Sequence, residues 1–474
     1  MRRAVVLALL ISSLFVYTAP PIPAQDAEPA PLMSSNIQLV TALPNPGVIG
    51  ARFKGNVMYV TTVSGLTTYD VSDPKAPVEL GRLPLPHFEN EDVDLAGDIL
   101  LISNDASEST GILYVIDISD PAAPAILSTF QMGGSPAGGP GHTASCILNC
   151  HFAWVTDGGV MRVIDLRDPA APVDLGTFEL PTGGIAVHDM QVDGNGIAWV
   201  AGFNGTAGYK IPNNYDGPGD EKLLARTSIA AESTYDENFG TGDGSTYNDY
   251  IHHNSLRRKN DDVVYITEED YTRPGCAGAG SFQTWHLPTN NKGTPTGAKL
   301  TPLDMWATEA VTEAMETPPG SSNPVTAMCS AHYFDLEKNL VAQGWYEQGV
   351  RFLDVSDPKN IRQIGYFIPP SAMTWAAYFP PTDPSLQTAY VFDATHGIDV
   401  LSIARPAKGA LSAPHVACQT RACTKNNTLK ARRAPILAEW RTAPTVGTAR
   451  DPFGFACRLG LADVIGGLGA VKVR

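Results

Sequence analysis

Short strand-like runs separated by turn chemistry set the pattern of this chain. In Val173-Asp174-Leu175-Gly176-Thr177-Phe178, apolar side chains fall on alternate positions, the period of a strand with one buried face. The run follows Asp168-Pro169, a dipeptide that sets up a tight turn, so the strands before and after it form a hairpin. Each unit carries two more runs upstream. An example is residues 189–192 and 197–201, split by Asp193-Gly194-Asn195-Gly196, which is strong hairpin-turn chemistry.

The pattern recurs. Tyr69-Asp70-Val71-Ser72-Asp73-Pro74, Ile116-Asp117-Ile118-Ser119-Asp120-Pro121, Ile164-Asp165-Leu166-Arg167-Asp168-Pro169 and Leu353-Asp354-Val355-Ser356-Asp357-Pro358 are one motif written four times. Its first Asp steps from 70 to 117 to 165, intervals of 47 and 48, and residue 402 lies 48 beyond Asp354. A period in this range denotes stacked supersecondary units, and four strands per unit is a propeller blade. Seven blades are expected, with inner strands beginning near Ile49, Glu91, His142, His188, His252, His332 and Trp375. Residues 212–249 and 288–328, rich in Gly, Asn, Asp, Thr and Pro, read as loops inserted in the fourth and fifth blades. The last blade ends with Gly397-Ile398-Asp399-Val400-Leu401-Ser402-Ile403 and lacks an outer strand. Gln38-Leu39-Val40-Thr41-Ala42-Leu43-Pro44 has the pattern of the outer strand Glu79-Leu80-Gly81-Arg82-Leu83-Pro84 and precedes every inner strand. Pairing the two ends closes the ring without an open sheet interface. The expected fold is all-β: a seven-bladed β-propeller of four-stranded blades over 37–404, closed by an N-terminal outer strand, with an irregular C-terminal extension over 405–474.

These Val/Ile-Asp-Val/Ile-Ser-Asp-Pro units resemble the LVIVD repeat of bacterial and archaeal secreted or cell-surface proteins. The resemblance is specific for four units and spans about residues 37–404. It implies a β-propeller and an extracytoplasmic location, and it carries no single activity.

Composition and charge narrow the partners. Of 474 residues only 17% are charged, while 44 Gly and 38 Pro are too much punctuation for a helical bundle. Lys plus Arg is 33 against 49 Asp plus Glu, a formal charge of -16, which gives no general attraction for nucleic acid or anionic lipid. Arg2 and Arg3, the apolar run over 4–17 and Ile22-Pro23-Ala24 read as a signal peptide over 1–24, cut after Ala24. That run is about 14 residues, short of the roughly 20 that span a bilayer, so no transmembrane segment is expected in the mature chain. Loss of two Arg and no acid leaves 31 minus 49, or -18. Outside the cytoplasm the seven Cys should pair with one left over. Cys146 and Cys150 are placed to staple a hairpin, Cys276 and Cys329 flank the long insertion, and Cys418, Cys423 and Cys457 share the extension, which is read as packed on the propeller. The spacings match no zinc module.

Routine catalytic motifs fail. Gly133-Gly134-Ser135-Pro136-Ala137 lacks the final Gly of a nucleophile elbow, and Gly240-Thr241-Gly242-Asp243-Gly244 lacks the strand-to-helix context of a dinucleotide site. The histidines are more informative. Aligned inner strands put Glu91, His142, His188, His252 and His332 at one phase of the repeat, which places four imidazoles and a carboxylate around one mouth of the central channel. A register slip of one residue substitutes His253 for His252. Neutral imidazole is a favoured ligand of zinc, copper and iron, so a transition-metal ion is one reading and hydrogen-bonded structural histidines are the other. Glu268, Glu269 and Asp270 are candidates for an outer ligand shell or a general base, and Trp345 with Tyr346 for an aromatic wall. Three functions are compatible with these residues. The first is a secreted binding module for an unidentified ligand or surface protein, with the metal or ligand at the His ring. The others are a metal-dependent extracytoplasmic oxidoreductase or hydrolase, and a metal-free adhesion scaffold.

Overall fold

The computed structural model describes residues 30–85, 92–104, 110–133, 140–157, 160–179, 187–202, 205–211, 228–232, 251–269, 280–297, 299–308, 330–370 and 372–404. Residues 1–24, read from the sequence as a signal peptide, and the extension 405–474 lie outside them, as do Cys276, Cys329, Cys418, Cys423 and Cys457. The described residues form seven antiparallel sheets arranged as a ring of blades, a seven-bladed propeller. The inner strands are Val48–Lys54, Asp92–Ala96, Pro140–Ile147, Val187–Val192, Ile251–Leu256, Phe334–Glu337 and Thr374–Tyr378 for blades one to seven. Among the described residues no helix is long and apolar enough to cross a membrane.

The repeated motif is explained by its hydrogen bonds. The first Asp accepts the N–H two residues on: Asp70 from Ser72 at 2.8 Å, Asp117 from Ser119 at 2.8 Å, Asp165 from Arg167 at 3.0 Å and Asp354 from Ser356 at 2.9 Å. The second Asp repeats the device, from Asp73 and Lys75 at 3.0 Å to Asp357 and Lys359 at 3.1 Å. Proline cannot donate, but its carbonyl is held outward and takes a hydroxyl from the preceding blade. Thr68 reaches Pro121, Ser128 reaches Pro169 and Thr284 reaches Pro358, each at 2.6 Å, and Tyr390 of the last blade reaches Pro74 of the first at 2.8 Å. All four motif copies therefore tie one blade to the next. Gly81 belongs to the same seam, where a Cβ would stand 2.4 Å from the Ala122 carbonyl.

The strand Ile37–Pro44 pairs with Gly397–Ile403 from Ile37 opposite Ile403 to Pro44 opposite Gly397, so the N-terminal strand closes the ring as the pattern predicts. Val48, Met58, Val60 and Tyr69 of blade one pack with Tyr378, Tyr390, Phe392 and Val400 of blade seven across that closure. Two details differ from the sequence reading. Leu32–Met33 pairs with Ile368 and Phe367, giving blade six a fifth strand. The segments read as pure loops contain the outer strands of blades four and five, Ser228–Glu232 and Thr301–Trp306. An outer strand has one sheet neighbour, so it tolerates the Pro302 and Asp304 that hid this one in a polar insertion.

Candidate metal centre

The inner strands of blades three to five, and the residues leading into that of blade six, bring four imidazoles together. Ring centroids lie 4.5 Å apart for His142 and His188, 4.0 Å for His188 and His253, and 4.1 Å for His253 and His332. All four are 0–1% exposed. The second strand of blade five, Val263–Glu269, delivers Glu269 to the same space. Glu269 Oε2 lies 3.7 Å from His253 Nε2 and 4.0 Å from His188 Nε2, and Oε1 lies 4.0 Å from His332 Nε2. One ligand atom from each of His188, His253 and Glu269 falls within 4.8 Å of the others.

The histidine in blade five is His253, not His252. The reason is a bulge: the strand register shifts between His252 and Asn254. The bulge is anchored by Asn254 N donating to Thr267 Oγ1 at 3.2 Å, the equivalent of Thr143 N to Thr156 Oγ1 at 2.9 Å in blade three and Gly50 N to Thr61 Oγ1 at 3.1 Å in blade one. His253 thus stands where His142 stands. His252 faces away, with Nδ1 3.0 Å from Thr206 Oγ1 and its ring edge-on to Trp285. The recurring Thr in Tyr59-Val60-Thr61, Trp154-Val155-Thr156 and Tyr265-Ile266-Thr267 is the sequence signal that locates the bulge.

Neighbouring residues of a strand point to opposite faces, and the acidic run divides accordingly. Glu268 turns to Ser281 Oγ at 3.2 Å and Gln283 Nε2 at 3.3 Å, while Glu269 turns to the imidazoles. Glu91 and Asp270 lie outside the described residues. Of the two aromatics expected as a wall, Tyr346 packs 4.8 Å from His332 and its hydroxyl donates to Glu269 Oε1 at 2.6 Å, whereas Trp345 packs against Trp306 in the core at 5.3 Å. Tyr333, which the pattern did not single out, covers His253 and His332 at 4.7 Å.

Protonation follows from these contacts. Burial and the neighbouring imidazoles hold His188 and His253 well below the ordinary value of 6.5, and burial brings His332 down to about 3, so the rings are neutral. A carbonyl can only accept. His188 Nδ1–H therefore donates to the His253 carbonyl at 3.0 Å and His332 Nδ1–H to the Trp375 carbonyl at 2.8 Å, which leaves each Nε2 as the bare nitrogen. His142 Nε2 approaches His188 Nε2 at 3.0 Å. Both ring nitrogens of His253 lack a hydrogen-bond partner among the described residues.

Pinning Nδ1 to a backbone carbonyl while Nε2 faces a carboxylate is how proteins orient metal-binding imidazoles. Ligand bonds of about 2.1 Å separate donor atoms by about 3.4 Å in a tetrahedron and about 3.0 Å in an octahedron. The 3.7 and 4.0 Å spacings from Glu269 Oε2 to the Nε2 atoms of His253 and His188 exceed the tetrahedral value by a few tenths of an ångström, and the whole set lies within 4.8 Å, so an ion would draw these donors inward.

The comparisons fit this architecture. The LVIVD repeat matches residues 52–83 and 102–131, which contain the motifs of Asp70 and Asp117. The chain carries LVIVD repeats. A search of the curated proteins finds no match to this LVIVD propeller. Among solved structures it is similar to the RRP9 WD40 repeats, at TM-score 0.51 and 13% identity over 79% of this chain and 99% of that one. It is also similar to the β-propeller domain of Cps50 (Swd1) from Myceliophteria thermophila, at TM-score 0.51 and 10% identity over 77% and 99%. At these identities the likeness concerns the fold alone.

Proposed function

We propose that this chain is an extracytoplasmic propeller binding module that holds a first-row transition-metal ion on His188, His253 and Glu269, with His142 and His332 as further donors. The carrying observation is the convergence of three neutral imidazoles, two of them, His188 and His332, pinned by backbone carbonyls, on one buried carboxylate. Two imidazoles and a carboxylate suit zinc or iron(II), and the added imidazoles keep copper in contention. The donors come from four blades, so the ion ties blades three to six into one rigid face. Their burial favours a held ion over a catalytic one, since catalysis needs an open coordination position. The basic and apolar start of the chain supports export, as does the disulfide between Cys146 and Cys150.

Elemental analysis of protein purified without a His tag tests the metal. About one equivalent of zinc, iron or copper is expected, and a double change of His253→Ala and Glu269→Gln should abolish it. Less than about a tenth of an equivalent after incubation with all three salts overturns the proposal. Mass spectrometry of the exported protein should find Gln25 as its first residue.

A further inference from the structure

The inner strands also wall a cavity of about 370 Å³, where Arg52 of blade one and Asp94 of blade two meet Gln191 of blade four. The Arg52 guanidinium is underused. Nη1 donates to the Ala51 carbonyl at 3.1 Å, and the contacts with Asp92 at 3.6 Å and Asp94 at 3.9 Å are too long for hydrogen bonds. Backbone groups hold those carboxyls instead. Asp92 accepts the N–H groups of Val93 and Ala144 at 2.9 and 3.3 Å, and Asp94 those of Leu95 and Cys146, both at 2.8 Å. The remaining N–H groups of Arg52 and the Gln191 side-chain amide make no hydrogen bond among the described residues. Burial raises both carboxyls, Asp92 to about 8, so the charge of Arg52 is not cancelled by Asp92 at pH 7.

A guanidinium with unused donors takes a planar anion, because carboxylate oxygens match its N–H groups in pairs. Asp94 adds a second requirement. Its oxygens keep lone pairs beyond their backbone bonds and accept a further N–H whether the carboxyl is ionised or neutral. A carboxylate and an ammonium joined through one carbon lie about 2.5 Å apart, a fit to two partners 3.9 Å from each other. The rest of the wall is apolar. Leu95, Met190 and Val192 face the cavity, and Val192 is 40% exposed at its rim. Water satisfies the donors of Arg52 but leaves that apolar surface wet, whereas an apolar side chain covers it. The volume falls in the range of small-molecule sites, about 300–1,000 Å³.

We infer that this cavity binds a free α-amino acid with an apolar side chain: its carboxylate on Arg52, its ammonium on Asp94 and its side chain against Leu95, Met190 and Val192. The site is separate from the imidazole centre and needs no metal ion.

Calorimetric titration of L-leucine into the full chain as purified tests it. One leucine per chain is expected. Leucinamide, which lacks the carboxylate, and isocaproate, which lacks the ammonium, should each bind about 30-fold or more weakly. Arg52→Met should weaken leucine binding by a similar factor while the metal content stays that of the unaltered protein. No heat at millimolar leucine overturns the inference, as does binding of either analogue as tight as that of leucine. Undiminished binding by Arg52→Met overturns it too. If that variant does not fold, Val192→Trp at the open rim decides. Loss of leucine binding supports the site, and undiminished binding overturns it.

Discussion

Removing the Tyr346 hydroxyl is the sharpest test of how the imidazole centre is held. Tyr346→Phe deletes one oxygen and keeps the ring that packs at 4.8 Å from His332 and 5.5 Å from Trp375. The backbone should not move, because Tyr346 exchanges two 2.9 Å hydrogen bonds with Thr374 of the next blade and holds φ at 37°. What is lost is the 2.6 Å bond to Glu269 Oε1, the contact that aims the carboxylate at the bare Nε2 atoms. A hydrogen bond to a charged group contributes about 1.5–3 kcal/mol. Loss of such an outer contact weakens metal binding about 10–100-fold, or about 1.4–2.7 kcal/mol. Competition for zinc against a chromophoric chelator at pH 7 measures this, and the visible spectrum of the cobalt(II) form reports ligand geometry. A zinc affinity within about twofold of the unaltered protein, with the same cobalt spectrum, would refute the claim that Tyr346 orients Glu269 as a ligand.

Three further outcomes are expected. His253→Ala should abolish metal uptake whereas His252→Ala should retain it, and equal loss in both would place the bulge in the wrong register. Arg257 is 3% exposed and bonds Asp193 at 2.7 Å, the Asp261 carbonyl at 2.8 and 2.6 Å and the Gly293 carbonyl at 2.6 Å. Arg257→Met should therefore lower stability by about 3–5 kcal/mol in urea unfolding, and a loss below about 1 kcal/mol would contradict that accounting. Burial, opposed by His396 and reinforced by Asp393, pushes Asp399 up to about 7 from 3.8. The unfolded chain then binds fewer protons than the folded one between these values, so stability falls as pH rises through that window. Asp399→Asn should flatten the decline, and a pH–stability profile identical to that of the unaltered protein would exclude the residue as its source.

Much of the architecture is legible in the chain because its causes are local. The Asp-x-Ser-Asp-Pro turn satisfies its own backbone within two residues, so each copy announces a blade wherever it stands. Gln38-Leu39-Val40-Thr41-Ala42-Leu43-Pro44 is recognisable as a displaced outer strand by its likeness to residues 79–84. The outer strand Thr301–Trp306 is not, because its partner Ser281–His286 alone makes it a strand.

The amino-acid pattern alone settles the repeat, the number of blades, the closure of the ring and the blades that carry histidines. The three-dimensional fold decides which atoms meet. His252 and His253 are equivalent in composition and differ only in which side of a bulge they occupy, and that bulge exists because Thr267 on another strand bonds the Asn254 N–H. Glu269 joins the imidazoles while Glu268 leaves them because alternation along a strand has a sense only once its neighbours are in place. Repeats are written in short-range hydrogen bonds, which a chain carries with it. A ligand set is written in distances between blades, which come into being only when the ring shuts.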